Sequence, residues 1–387
     1  MDTIYLDNSA TTPMRTEVRE ALCEALETTY GNPSSIHSVG QDAKKLLEES
    51  RERAAACIGA PAGNVIFTGG GTESDNLAIA GGARAYRNEG RHIVTSGIEH
   101  HAVLNCCKSL ESEGYEVTYV PANRDCIVEP ERVAEAVRPE TTLVSVMFAN
   151  NETGTLQPIR EIAEIAHNSG AVFHTDAVQA AGKVAIDVDE LGIDLMSLSG
   201  HKIYGPKGVG ALYVRSGVRL VPIVYGGHHE KSFRPGTENV PGIAAFATAL
   251  ELAVGDLPGS ADYLRGLKEK LASGILETIV AVQRNGSPEN SLPNILNISF
   301  EGVDGESVLL NLDLLGIAVS TGSACTSGAV EPSHVLIAMG VPPNIAQSSI
   351  RFSFGRQNTE EEVTRVLEVL PDIITRLRGL STMSVGD

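Results

Sequence analysis

"DLMSLSGHKIYGPKGVGALYV", residues 194–214, holds two short β-rich runs, 194–199 and 210–214, on either side of a glycine-containing turn that carries Lys202. Runs of the same kind occur upstream as "HIVTS" (92–96), "EVTYV" (116–120), "TLVSVMF" (142–148) and "AVFHTD" (171–176). Helical periodicity fills gaps between them at 101–113, 130–137 and 158–168. Strand–helix alternation predicts a mostly parallel sheet covered on both faces, with a ligand crevice beyond the carboxyl ends of the strands. Lys202 stands at such an end.

Outside this stretch, Val18, Leu22, Ala25 and Leu26 mark an amphipathic helix, and 39–57 reads as another. Residues 239–278 read as helical but broken near "GDLPGSAD" (255–262), where Pro, Gly and Ser cluster. The expected boundary is therefore close to 257. Beyond it come a strand (294–300), a helix (304–315), a strand (317–320), a helix (332–339), a strand (349–354) and a helix (359–378), a small α+β unit. The expected organisation is a large domain over 15–257 and a smaller one from 1–14 and 258–387.

The 387 residues are 42% hydrophobic and 20% charged, which is ordinary globular usage. Thirty basic against 49 acidic side chains give a net charge of −19. That balance argues against nucleic acid or anionic membrane as a partner. The start "MDTIYLDNSATTP" has neither a basic nor an apolar signal region, and no unbroken apolar run reaches about 18 residues. A cytoplasmic protein is expected.

The six cysteines are scattered and none lies in a CxxC pair, so neither a resident metal nor a disulfide framework is expected. Cys23 and Cys57 fall on helical faces and are expected in the core. Cys106 and Cys107 follow His100 and His101, but neighbours on a helix point about 100° apart and chelate poorly. Cys325 differs from all of these. It sits in "STGSACTSGAVEP" (320–332), among small polar residues and glycines that favour an exposed, bending chain.

Three stretches carry chemistry. "FTGGGTESDNLAIAG" (67–81) takes a strand through three glycines and Thr72 into a helix, so bare amides at the helix N-terminus could cradle a phosphate. Taken alone, it is equally a tight turn with Thr72 as helix cap. "FHTDAVQAAGK" (173–183) ends a strand with Asp176, a carboxylate that wants a cationic partner such as a protonated ring nitrogen, or else caps the next helix. Lys202, beside Ser199 and His201, suits Schiff-base chemistry if desolvation and nearby cations lower its pKa. A phosphate cradle, a carboxylate and such a lysine are the protein parts that pyridoxal 5'-phosphate requires.

With these residues in place, "YLDNSATTP" (5–13), "YGNPSSIH" (30–37), "GGTESDN" (70–76), "EHHAV" (99–103), "NNETG" (150–154), "HTDAVQAAGK" (174–183), "HKIYGPKG" (201–208), "RPGTEN" (234–239) and "GSACTSG" (322–328) resemble the cysteine desulfurases of the NifS/IscS class. The resemblance runs from residue 4 to about 375. It implies an α/β, fold-type I pyridoxal-phosphate enzyme with a mostly parallel seven-stranded sheet and a smaller α+β domain, working as a homodimer. Lys202 would hold the cofactor, Asp176 would pair with its ring nitrogen, Gln179 would face its phenolic oxygen and His100 would stack on the ring. Gly71, Thr72, Ser199 and His201 would bind the phosphate, together with Thr237 of the other subunit. Asn151 and Arg351 would hold the carboxylate of L-cysteine.

The resemblance also gives Cys325 a purpose, as the thiolate that takes sulfur from L-cysteine and leaves alanine. A loop of about 12 residues has a contour near 40 Å, so its tip could swing roughly 15–20 Å between crevice and surface. The sulfur would pass to an acceptor such as an iron–sulfur scaffold, with transient iron–sulfur ligation at Cys325 left open. Gly200, His101, Phe233 and Pro235 depart from the usual family residues without removing a catalytic group. The short polar C-terminus leans the reading towards nitrogen-fixation-like members. Selenocysteine lyase, an aminotransferase of the same fold, or a sulfur carrier without turnover are the alternatives. The cysteine loop speaks against the aminotransferase, and Lys202 against the carrier.

Overall fold

The computed structural model describes residues 3–321 and 331–380. Its centre is a seven-stranded sheet of β1 (Val65–Thr68), β2 (His92–Ser96), β3 (Glu116–Val120), β4 (Thr141–Ser145), β5 (Val172–Asp176), β6 (Leu195–Ser199) and β7 (Gly210–Val214). Across the sheet the order is β1-β7-β6-β5-β4-β2-β3. Only β7 runs against its neighbours; the other pairings are parallel. Two reversals leave β1 pointing the same way as β6. Its carboxyl end therefore opens on the same edge as those of β2, β4, β5 and β6.

Successive residues feed opposite faces, as the pleat demands. Phe67, Val94, Val144, Phe173, Met196 and Tyr213 enter one core, while Ile66, Ile93, Leu143, Val172, Leu195 and Leu212 enter the other. Burial on both sides explains why these strands read as near-continuous apolar runs. A second sheet has Ile295–Phe300 between Val282–Asn285 and Ser349–Ser353, all antiparallel. Leu6, Leu264, Leu271, Phe300, Phe352 and Ile374 belong to the core beneath it. The N-terminal strand Ile4–Tyr5 pairs in parallel with Ile317–Ala318.

Two expectations are corrected. Val240–Thr278 is one helix with Pro258 inside it, so the break at 255–262 is absent. Phe246, Leu250 and Ala253 bury its first half in the large-sheet core, and Leu264, Leu267 and Leu271 bury the second half in the other. Packing at both ends outweighs the hydrogen bond lost at one proline. By length and composition a stretch of this helix could cross a membrane, but 56% of that stretch is buried inside the protein. The second correction concerns Cys23, which is exposed. It follows buried Val18 by five residues, which turns it about 140° away from the core. Cys57 is half-buried against the core, as expected, and burial pushes its thiol up to about 11.

Candidate active site

The carboxyl edge of the sheet opens into a cavity of about 630 Å³. Gly71, Thr72, His100, Asn151, Asp176, Gln179, Ser199, His201, Lys202 and Arg351 all line it. The fold thus brings together ten residues singled out from widely separated motifs. Thr237 is exposed and lines no part of this cavity. Cys325 lies outside the described residues. On the near sides of its segment, Ser320 and Thr321 line the cavity, as do Glu331, Pro332 and Ser333.

Lys202 ends a short turn, Gly200–Lys202, directly after β6. The loop closes tightly, with the Gly205 N–H donating to Gly200 O at 2.9 Å. Lys202 Nζ donates to the main-chain oxygens of Ser9 (2.5 Å) and Ala10 (2.7 Å), so the N-terminal segment lies over it. Desolvation, and then the Arg351 charge, lower the Lys202 amine to about 8, against the pull of Asp7 and Asp176. A lysine in that range is partly neutral near neutral pH and can act as a nucleophile or base. Behind it, half-buried Lys183 donates from Nζ to Gln179 O (2.9 Å) and Lys202 O (3.4 Å), tying the two turns together.

Asp176 closes β5 and is buried. Its Oδ1 accepts the Val178 N–H at 2.9 Å, so it shapes the local turn and faces the cavity at once. Burial raises its carboxyl, while Val178 and Lys202 hold it down. Asp75 lines the same floor, and burial together with the Asp176 charge raises its pKa. Beneath them His174 is fully buried between Ser145 Oγ (2.8 Å) and Ser197 Oγ (3.0 Å), and desolvation lowers it to about 3. His174 is therefore a neutral strut.

On the rim, His100 Nδ1 accepts the Ala102 N–H at 3.1 Å and caps the helix His101–Ser112. Desolvation, then the Lys202 and His101 charges, hold its imidazole below the ordinary range, hence neutral. The His101 and His334 rings lie 4.6 Å apart between centroids. Arg351, on Ser349–Ser353, donates to Asn151 O and to Asp7 Oδ1, each at 2.9 Å. Buried Glu152 accepts Ser333 Oγ at 2.5 Å, and burial raises its carboxyl to about 7.

The glycine turn follows β1 and leads into a helical run from Gly71 to Ala85, with a widened turn over Leu77–Gly81. The helix starts at Gly71 with Gly70 as its cap, so Thr72 lies one position inside it. A Cβ on Gly71 would meet Val178 Cγ2 at 2.8 Å, and one on Gly210 would meet Leu198 O at 2.4 Å and Gly70 Cα at 2.8 Å. The chain is packed that closely around the turn, which leaves no room for a side chain at either glycine.

These residues fit pyridoxal 5'-phosphate. Ser9 Oγ, Asp75 Oδ1, Gln179 Oε1 and Arg351 Nε are buried against the cavity without a hydrogen-bond partner among the described residues. Unsatisfied buried polar atoms are costly, and a bound polar molecule would satisfy them. The Asp176 carboxylate, the Lys202 amine and the start of the helix at Gly71 and Thr72 all line one cavity, the groups that suit a cationic ring nitrogen, an aldehyde and a phosphate. Sequence reading missed Asp7, Ser9, Asp75, Glu99, Glu152 and Lys183. Each lies inside a quoted motif, and only full burial (Ser9, Asp75, Glu99, Glu152) or partial burial (Asp7, Lys183) sets it apart from a solvated neighbour.

The family model of the class-V aminotransferases matches residues 4–366. The chain is similar to the cysteine desulfurase IscS of Methanosarcina thermophila, 51% identical over 98% of this chain and 94% of that one. It is similar too to cysteine desulfurase IscS of Dictyoglomus turgidum, 49% identical over 98% and 96%. A solved NifS-like protein superposes with a TM-score of 0.91 at 38% identity, covering 97% of this chain and 100% of that one. SspA in complex with cysteine superposes with a TM-score of 0.81 at 38% identity, covering 91% and 99%.

Proposed function

Because this chain belongs to the class-V aminotransferase family and is a pyridoxal-phosphate-dependent cysteine desulfurase, we propose that Lys202 drives the removal of sulfur from L-cysteine and that Cys325 receives it. The balance is one L-cysteine and the Cys325 thiol giving L-alanine and a Cys325 persulfide, with no outside oxidant or reductant. When bound, pyridoxal 5'-phosphate supplies the electron sink that makes the substrate's α-proton acidic and its carbon–sulfur bond labile.

The chain's own residues do the rest. Lys202 would hold the cofactor, and its amine, lowered to about 8, is the base that would take the substrate's α-proton. Asp176 pairs with the ring nitrogen; a cation there would draw its raised carboxyl back to the ionised form. Gln179 faces the phenolic oxygen. His100 would stack on the ring and is the group that would move a proton, a contribution typically worth about 10²–10⁴ in rate. Gly71, Thr72, Ser199 and His201 hold the phosphate, with Thr237 supplied by a second copy of the chain in a homodimer. Arg351 and Asn151 fix the substrate carboxylate. Sulfur leaves Cys325 for an acceptor such as an iron–sulfur scaffold, in the cytoplasm.

The observation that carries this reading is the convergence of a depressed Lys202, Asp176 and Arg351 on one cavity that residues 321 and 331 also line. The test is alanine and sulfide release from L-cysteine with reductant, comparing wild type with Cys325→Ala. Lost turnover with retained cofactor colour is expected. Equal turnover would remove Cys325 as the acceptor.

A further inference from the structure

The segment 215–239 joins β7 to the helix Val240–Thr278 and carries Thr237, exposed and away from its own chain's cavity. Just before Thr237 the backbone is unusual. Glu230, Lys231 and Ser232 have φ of +42°, +57° and +68°. Three consecutive residues with side chains in the left-handed region would relax unless their surroundings held them there.

Two fastenings hold the segment. The buried Glu230 carboxylate accepts Arg51 Nη1 (2.8 Å) and Nη2 (2.7 Å) together with the Phe67 N–H (2.8 Å). Arg51 Nη1 also donates to Val65 O at 2.8 Å, and its guanidinium lies 4.9 Å from the centre of the Phe67 ring. Both Val65 and Phe67 belong to β1. Further along, Arg234 Nε donates to Glu73 Oε1 at 2.9 Å, and Glu73 Oε2 accepts the Gly69 N–H at 2.6 Å. The segment is thus tied to the strand and the glycine turn that precede its own phosphate cradle. A buried ion pair is a poor source of stability but can fix a conformation.

We infer that Glu230 and Arg234 are positioning residues that brace this segment against β1 and the glycine turn, so that Thr237 is presented at the cofactor phosphate of the second copy. The inference rests on the reading of Thr237 given above. It makes the brace act in trans. A defect in one chain's brace weakens phosphate binding in the other chain's cavity and spares its own.

Mixed dimers test this, with dissociation constants for pyridoxal 5'-phosphate and for pyridoxal measured by cofactor absorbance after stripping and retitration. Wild type paired with a K202A/R234Q chain keeps one Lys202 site, served by the altered segment. Its affinity for pyridoxal 5'-phosphate should fall about tenfold, the worth of one charge-assisted hydrogen bond, while pyridoxal binding holds. R234Q paired with K202A keeps one Lys202 site served by an intact segment and should bind like a wild-type/K202A dimer. The reverse pattern, or equal loss for both ligands, overturns the inference. E230Q in place of R234Q repeats the test through the other fastening. T237V in the serving chain must reproduce the loss, and adding R234Q to it must cost nothing further; additive losses overturn the inference alone. If T237V has no effect, the reading of Thr237 itself falls and the inference with it.

Discussion

Arg351 donates from Nη1 to the Asn151 carbonyl and from Nη2 to Asp7 Oδ1, both at 2.9 Å, while its Nε is buried without a partner among the described residues. The fork is held from behind with one edge left to serve a carboxylate. Lysine keeps the charge but cannot present that edge. Arg351→Lys should raise KM for L-cysteine about 100-fold, as expected for two lost charge-assisted hydrogen bonds, and should keep cofactor colour. Steady-state kinetics with an unchanged KM would refute the assignment.

Lys202 should govern the pH dependence of cofactor capture. Only the neutral amine attacks an aldehyde, and its pKa is lowered from 10.5 to about 8. The rate of colour return to stripped enzyme should climb with pH and level off above about 8. Arg351→Met removes the second cause of the depression and should move the plateau to higher pH. A wild-type rate still climbing towards 10.5 would contradict the placement of Lys202.

Glu99 should make stability fall with rising pH. It is fully buried, its Oε1 accepts Ser96 Oγ (2.5 Å) and the Met147 N–H (2.9 Å), and Oε2 has no partner among the described residues. Burial raises its carboxyl from 4.5 to about 8. A folded pKa above the unfolded one contributes stability that is complete below 4.5 and is lost as pH rises through 8. Glu99→Gln cannot ionise, so at pH 9 stripped enzyme carrying it should exceed wild type by on the order of 1–3 kcal/mol. Denaturant titrations near pH 5 and pH 9 check this. Parallel pH losses in the two proteins would rule it out.

Two glycines should respond in opposite directions. Gly210→Ala forces a Cβ to 2.4 Å from Leu198 O and 2.8 Å from Gly70 Cα, pushing β7 off the glycine turn. It should cost roughly 2–4 kcal/mol of stability and weaken cofactor binding. Gly255→Ala lies in the long helix with nothing within 4 Å of the new Cβ. It should stabilise by about 0.5–1 kcal/mol. Thermal unfolding of both variants decides.

The sheet and its carboxyl edge were legible because strands buried on both faces show as short apolar runs, and Asp176 and Lys202 stand immediately at or beyond two of them. What holds Lys202 was not legible. Ser9 O and Ala10 O are main-chain atoms, and no residue type announces them. The pairing of Asp7 with Arg351 joins opposite ends of the chain. Glu99 and Glu152 stand next to His100 and Asn151 in motifs that were read, yet a buried carboxylate has the same letter as a solvated one. Pro258 and its neighbours signalled a break by local preference, and packing on both sides overrode them. Thr237 was legible only through resemblance, since nothing within one chain brings it to the cavity.

The helix Val240–Thr278 spans roughly 58 Å at 1.5 Å per residue and lends one end to each core. Neither core owns the whole of it. A cut at 257 would leave each part with a half-helix whose apolar face still needs the other part's hydrogen-bonded backbone to keep its register. Fragments made separately would therefore be sticky on their own and complementary when mixed, so this beam makes a two-piece version of the protein a folding partnership rather than a pair of independent modules.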